Sequence, residues 1–255
     1  DHSRRVFISN LYEPEVLPVQ DLTDPDTVGT VGGYIDFPHE IMGLQEWLGR
    51  LMIFTKGGVY EFTGLNADEW TWPQVSTQGC DSSRSIVAAG EAGIFWYGNG
   101  AIWRYNGSSV ENMSEDVQAT VQGIASAYED DIAGGYDLKE QLVHFSYTAS
   151  GTTNNAELIL DLETTRKIGR PSWTKFTGHA IAVYWPKSED LYGGEPADGF
   201  SWHLNTGAQD AGGSVAWLME TKHNDVSLGG REGRLRGLDV HADATTAAHT
   251  VTVTV

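Results

Sequence analysis

The densest run of carboxylates in the chain is Glu129-Asp130-Asp131, followed by Asp21, Asp24 and Asp26. Paired acids are the machinery of glycoside hydrolysis, one carboxyl protonating the leaving oxygen while the other serves as base or nucleophile. Close carboxylates also hold calcium, but that chemistry needs alternating ligands around a glycine turn. No D-x-D-x-D-G loop accompanies either run. Both lie in loop-like stretches, where an acidic run is expected to be a solvated surface.

Trp70-Thr71-Trp72 after Asp68 carries a trace of the sialidase Asp-box, but the glycine between the Asp and the Thr-Trp pair is missing. Trp96, Tyr97, Trp103 and Tyr105 could stack on sugar faces. Strand alternation sends about half of such a set inward, so they are expected in the core. The histidines (2, 39, 144, 179, 203, 223, 241 and 249) are scattered with no pair at ligand spacing. His144 and His203 lie in apolar strands, where a packed or hydrogen-bonded ring is expected. Cys80 is the single cysteine, which rules out an intrachain disulfide and a cysteine-based zinc site, and it reads as a small buried hydrophobe. Asn106-Gly107-Ser108 and Asn112-Met113-Ser114 are formal glycosylation sequons that read more simply as turns. No phosphate-cradling G-x-x-x-x-G-K-[ST], no G-x-S-x-G elbow and no H-E-x-x-H is present. The expectation is a chain with no catalytic, cofactor-binding or metal-binding residues.

These side chains are carried by short elements. Leu51-Met52-Ile53-Phe54, a turn at Thr55-Lys56-Gly57-Gly58, and Val59-Tyr60-Glu61-Phe62-Thr63-Gly64 read as a hairpin over 51–64. Ile94-Phe95-Trp96-Tyr97, a turn at Gly98-Asn99-Gly100-Ala101, and Ile102-Trp103-Arg104-Tyr105-Asn106-Gly107 repeat it over 94–107, aligned without a gap at an offset of 43 residues. Looser copies fall at 142–162 and 191–207. Apolar runs of four to six residues are strand-length, and glycine supplies the positive φ of tight hairpin turns. Ser85–Ala88 and His179–Tyr184 are further strand candidates between the hairpins. About four strands per roughly 45 residues is the size of a propeller blade. The fold class expected is therefore all-β and β-propeller-like, with a β-sandwich as the alternative. Four copies imply four blades, or part of a larger ring closed by another segment.

Residues 1–210 read as the repeat domain and 211–255 as a C-terminal β segment that closes the propeller or contacts a neighbour. Within that segment Ser214–Met219, Arg234–Val240 and the strictly alternating Thr250–Val255 read as strands. Helix is expected only near Glu115–Gln122, with Ser114 as its N-cap. The chain opens at Asp1 with residues that soon read as a strand, so a fragment or processed product is expected.

With 40% apolar and 11% aromatic residues the chain can bury a core. No stretch is apolar for the ~18 residues of a membrane span. The net charge of −19 opposes adhesion to nucleic acid or anionic membrane, which carry the same sign.

Trp70-x-Trp72, Ser76, Gly79-Cys80, Ser85-Ile86-Val87, Gly93-Ile94-Phe95-Trp96 and Ile102-Trp103-Arg104-Tyr105-Asn106-Gly107-Ser108-Ser109 together resemble the tail nozzle and packaged-DNA stabilisation (tail tubular) β-propeller proteins of tailed bacteriophages. Arg5–Ser9 resembles their opening strand, and Asp210-x-Gly212-Gly213 before Thr221-Lys222 resembles their far end. Order and spacing over nearly the whole chain carry this resemblance, although the chain is shorter than such proteins commonly are.

The resemblance implies a structural protein of the virion tail or neck, assembled in the host cytoplasm, without catalysis. It implies a homo-oligomeric ring, a hexamer, that meets other tail or portal-adaptor proteins and passes double-stranded DNA without binding it specifically. An acidic lumen would then keep DNA from sticking. Carbohydrate or receptor binding, and glycan cleavage through Glu129 or Asp131, are the alternatives. The basic clusters Arg166, Lys167, Arg170, Lys175 and Arg231, Arg234, Arg236 are expected at solvated strand edges.

Overall fold

The computed structural model describes residues 3–9, 33–64, 69–178, 180–196, 199, 201–204, 209–210 and 213–214. Asp21, Asp24, Asp26, Asp68, His2, His179, His223, His241, His249, the cluster Arg231, Arg234 and Arg236, and the expected strands Arg234–Val240 and Thr250–Val255 lie outside them, as does most of Ser214–Met219.

All four repeated hairpins are present. β4 (Arg50–Thr55) pairs with β5 (Gly58–Phe62), β8 (Ile94–Gly98) with β9 (Ala101–Tyr105), β12 (Leu142–Tyr147) with β13 (Ala156–Asp161), and β16 (Asp190–Gly194) with β17 (Ser201–His203). In the second hairpin Gly98 faces Ala101 across Asn99 and Gly100, at φ 52° and 69°. That left-handed pair is what a two-residue turn needs to follow the strand twist.

Short strands flank each hairpin. β3 (Ile41–Trp47) and β6 (Gln74–Ser76) complete one antiparallel four-stranded sheet. β7 (Val87–Ala88) and β10 (Val110–Asn112) complete the second, and β11 (Ala133–Asp137) and β14 (Trp173–Thr177) the third. β15 (Val183–Lys187) makes a three-stranded sheet with the last hairpin. β1 (Arg5–Ile8) and β2 (Gly33–Asp36) form a separate pair, as do β18 (Gln209–Asp210) and β19 (Gly213–Ser214).

The sheets stack face to face, and strand alternation assigns every second residue to one interface and its neighbours to the next. Ile53 and Tyr60 face Val6, Ile35 and Phe37 of the β1–β2 pair. Met52, Phe54 and Val59 face the other way, onto Ile94, Trp96 and Tyr105 of the second sheet. That sheet turns Phe95, Tyr97 and Ile102 onto Val143, Phe145, Leu158 and Leu160 of the third. Glycines let the first strands of successive sheets approach. A Cβ on Gly134 would stand 2.5 Å from Cγ2 of Val87, and one on Gly135 would stand 2.6 Å from Cβ of Tyr184. The result is an all-β body, and the described residues do not close the stack into a ring.

Several local expectations are refined or corrected. Ser83–Ser85 is a 3-10 turn, so the strand there is only Val87–Ala88, and β15 begins at Val183 rather than near 179. The expected helix is a 3-10 turn, Glu115–Val117, followed by α1 (Gln118–Gln122). Ser114 does not cap it: its hydroxyl accepts from the Ile102 amide and meets Asn112 and Gln118 instead. α1 lies between the second and third sheets and sends Val121 into their shared core. Finally, Leu162 belongs to no strand. It opens α2 (Leu162–Ile168), capped by Asp161 accepting from the Thr164 amide at 2.7 Å and ended by Gly169 at φ 72°.

Candidate functional site

The third and fourth sheets meet through polar groups rather than a purely apolar core. Residues of β12 and β13 that point away from the second sheet include His144, Ser146 and Glu157, all buried. Glu157 lies in the run Ala156–Leu160, and a carboxylate there must find donors or remain uncharged. It finds two. His144 Nδ1 lies 2.7 Å from Glu157 Oε1, and the Tyr184 hydroxyl of β15 donates to the same oxygen at 2.6 Å. Beside this group Ser146 Oγ donates to the Ile181 carbonyl at 2.6 Å, and Asn154 Nδ2 donates to that carbonyl and to Asp131 O.

A carboxylate holding a histidine and a tyrosine has the parts of an acid–base centre. Here the side chains of His144 and Glu157 are 1% and 3% exposed, so a substrate cannot reach them. Burial and then the neighbouring Glu157 charge hold the Tyr184 hydroxyl well above the usual tyrosine value. Two open clefts, of about 390 and 330 Å³, are lined by other residues, Gln74–Gln78 with Trp103 and Ser108–Val110 in one, Thr120, Tyr147 and Lys175 in the other. The polar group therefore acts as a clamp between sheets.

The carboxylates singled out by their density are engaged separately. Glu129 accepts from the Tyr97 hydroxyl at 3.0 Å, while Asp131 pairs with Arg84 at 2.6 Å. Asp130 is exposed and offers only its carbonyl to Ser82 and Arg84. Among the described residues no three His, Cys, Asp or Glu side chains converge as a metal site. Trp96, Tyr97 and Tyr105 are buried, and Trp103 Nε1 is tied to Gly98 O. Asn106 accepts from the amides of Ser108 and Ser109, and Asn112 from that of Ser114, so both sequons stabilise turns. The first basic cluster is not all strand edge: Arg166 and Lys167 sit on α2, bonded to Gln141 and Glu163, and Lys175 lies on β14. His39, like Lys56 in its ion pair with Glu40, sits beside the β4–β5 turn, its ring where a Cβ on Gly57 would be.

An aromatic row occupies the outer face of the fourth sheet. Trp185, Tyr192 and His203 lie in register on β15, β16 and β17, with ring centroids 6.0 and 4.6 Å apart and nearly parallel planes. The rings cover one another's faces, which leaves mainly edges to a ligand and does not make a sugar platform.

Burial pushes the Cys80 thiol up to about 12. It is expected to resist thiol reagents in native protein at pH 8 and to react on unfolding in urea, a contrast readable by mass. Rapid native labelling would contradict the packing.

Alkaline lability is also expected. Burial pushes the Tyr147 hydroxyl up to about 12, and those of Tyr97 and Tyr184 are raised too. The folded chain then keeps protons that the unfolded chain has lost, so stability is complete below pH about 10 and falls as pH rises toward 12, by up to ~1.4 kcal/mol per unit per group. Tyr147 Oη is buried with no hydrogen-bond partner among the described residues. Tyr147→Phe should therefore leave stability at pH 7 unchanged or higher, and flatten the decline in urea midpoint between pH 10 and 12. An unchanged slope would refute the assignment.

No protein-family model matches the chain, and no curated protein is detectably similar to it in sequence. No helix among the described residues is long and apolar enough to cross a membrane.

Proposed function

We propose that this chain is a structural protein of a tailed-bacteriophage virion, a β-propeller that assembles into the nozzle or adaptor ring through which DNA is retained and ejected. The observation that carries the reading is the series of sequence-contiguous antiparallel sheets packed face to face, the layout expected of propeller blades. The residues best suited to chemistry are spent on holding those sheets together: Glu129 on Tyr97, Asp131 on Arg84, and Glu157 on His144 and Tyr184. That supports a scaffold in preference to a glycan-cleaving propeller.

Charge supports the conduit role. Arg5, Arg50, Lys56, Arg84, Arg104 and Lys167 each pair with a carboxylate of the same chain, which leaves the acidic excess uncompensated. Such a surface repels phosphate and lets a duplex slide. In the assembled ring the lumen is acidic, and a basic lumen would contradict the conduit reading.

The test is peptide mass spectrometry of gradient-purified virions, with copy number scaled to the major capsid protein. Recovery at a few copies per particle is expected. Absence from clean particles would overturn the proposal and turn attention to glycan binding.

A further inference from the structure

Trp96, Tyr97 and Tyr105 are buried, whereas Trp103 is half-buried and lines the larger of the two open clefts, of about 390 Å³. Trp103 lies at the margin of the interface between the first and second sheets, packed with Val75 of β6 and Val110 of β10. Gln74 and Gln78 reach the cleft from β6 and the loop after it, Ser108 and Ser109 from the turn between β9 and β10. The volume falls at the small end of the ~300–1,000 Å³ typical of small-molecule sites.

The chemistry of this lining is unusual for the chain. None of the described residues that line the cleft is charged, although 20% of the chain is and the net charge is −19. A phosphate or carboxylate finds no cation there, and an amine or metal ion finds no carboxylate. Glu111, next to Val110, is engaged with Arg104, Asn106 and Ser109. Trp103 Nε1 donates to Gly98 O at 2.8 Å, so the indole offers the cleft only carbon surface. Gln78 Oε1 accepts from Asn99 Nδ2 at 3.2 Å, and no described residue accepts from Gln78 Nε2. Gln74 is the converse: its Nε2 donates to Ser76 O at 3.0 Å, which leaves its Oε1 to accept. The Ser108 hydroxyl donates to Asn106 at 3.0 Å and keeps its own acceptor lone pairs.

We propose that this cleft binds a neutral saccharide, with the C–H face of a sugar ring on Trp103 and sugar hydroxyls bonded to Gln74, Gln78 and Ser108. A sugar hydroxyl both donates and accepts, which suits a wall offering donors and acceptors without charge. The apolar face of the ring suits an indole whose polar edge is already spent. Bonds within the chain hold these wall groups in place, so little side-chain freedom is lost on binding. The row of Trp185, Tyr192 and His203 lacks these features, because its rings cover one another. The inference goes beyond the virion reading and does not rest on it: absence of the chain from particles would leave it standing.

Saturation-transfer NMR and calorimetric titration of the full chain test it. The probes are glucose, galactose, mannose, N-acetylglucosamine and maltose, with glucuronate and galacturonate as charged counterparts. At least one neutral sugar is expected to bind with a Kd in the millimolar range or tighter, unaffected by salt. The uronates should bind less tightly than any neutral sugar that binds. Trp103→Ala should weaken binding at least about tenfold, and Gln78→Ala about threefold to tenfold. Trp185→Ala should leave it unchanged. Folding of each variant is checked by its thermal transition. Gln78 lies in a loop outside the apolar core, so its arm reads out even where Trp103→Ala weakens the fold. Failure of every neutral sugar to bind would overturn the proposal. So would binding that survives both cleft variants, binding lost in Trp185→Ala, or uronates bound as tightly as neutral sugars.

Discussion

Glu157→Ala is expected to cost about 3–5 kcal/mol of stability, read as a fall in the urea midpoint at pH 7. The reason is asymmetric. The carboxylate is the shared acceptor for His144 and the Tyr184 hydroxyl, and its removal leaves both donors buried between two sheets without it. Glu157→Gln keeps a carbonyl oxygen to accept one donor and should recover part of the loss. The sharper comparison is the triple exchange His144→Phe, Glu157→Leu, Tyr184→Phe, which removes these three groups together. It should lie closer to the parent than Glu157→Ala does, because an apolar cluster of similar volume pays no desolvation. A Glu157→Ala loss below about 1 kcal/mol would mean that water reaches the group, contrary to its burial.

Trp96→Ala should cost about 3–5 kcal/mol as well, by a different route. Trp96 is fully buried between the first and second sheets, with its ring edge-on to Phe54 at 5.5 Å. Its Nε1 donates to Gly79 O at 3.0 Å. Gly79 is hemmed in by backbone: a Cβ there would overlap the Lys56 carbonyl, and a Cβ on Gly98 would overlap the Gly79 carbonyl. The loop cannot relax inward to fill the space a truncated Trp96 leaves, so the cavity persists. Trp96→Phe retains most of the contact with Phe54 and strands only the Gly79 carbonyl, so its loss should be about half as large. Equal losses for the two variants, measured by thermal and urea unfolding, would show that the hydrogen bond outweighs the packing.

The central hairpins are legible because two local signals agree in them, tight turns bearing glycine and strand-length apolar runs with alternation in Val59–Phe62 and Ile102–Tyr105. The flanking strands were harder to see. β7 has two residues, β6 and β10 three each, and so short a run carries no periodicity of its own. They are held by the hairpin beside them, which is a tertiary effect. α2 was hidden for the opposite reason: Leu162 continued the apolar rhythm of Leu158 and Leu160, while Asp161, Thr164 and Gly169 already spelled its start and stop. The clamp was half visible. His144 was expected to be packed or hydrogen-bonded, and it is. Glu157 was missed although a charge in a buried strand is itself a signal, and Tyr184 was missed because its partner lies 27 residues earlier on another sheet. Of the four aromatic residues near 100, Trp96, Tyr97 and Tyr105 fell in the core as expected, while Trp103 is partly buried and lines a cleft.

The contiguity of each sheet has a consequence for synthesis. Residues 41–76, 87–112 and 133–177 each hold a whole four-stranded unit, so most pairings are local in the chain. Units of this kind can form as they leave the ribosome, each docking on the one already made, and they expose little unpaired edge for long. The earlier junctions combine apolar packing with polar contacts nearer the surface, such as Arg84 with Asp131 and Tyr97 with Glu129. The fourth needs Tyr184 to meet the Glu157 carboxylate, which becomes buried between the third and fourth sheets as they dock, a step that rewards correct geometry and rejects near misses. Growth of the body is therefore directional, with each finished layer serving as the template for the next.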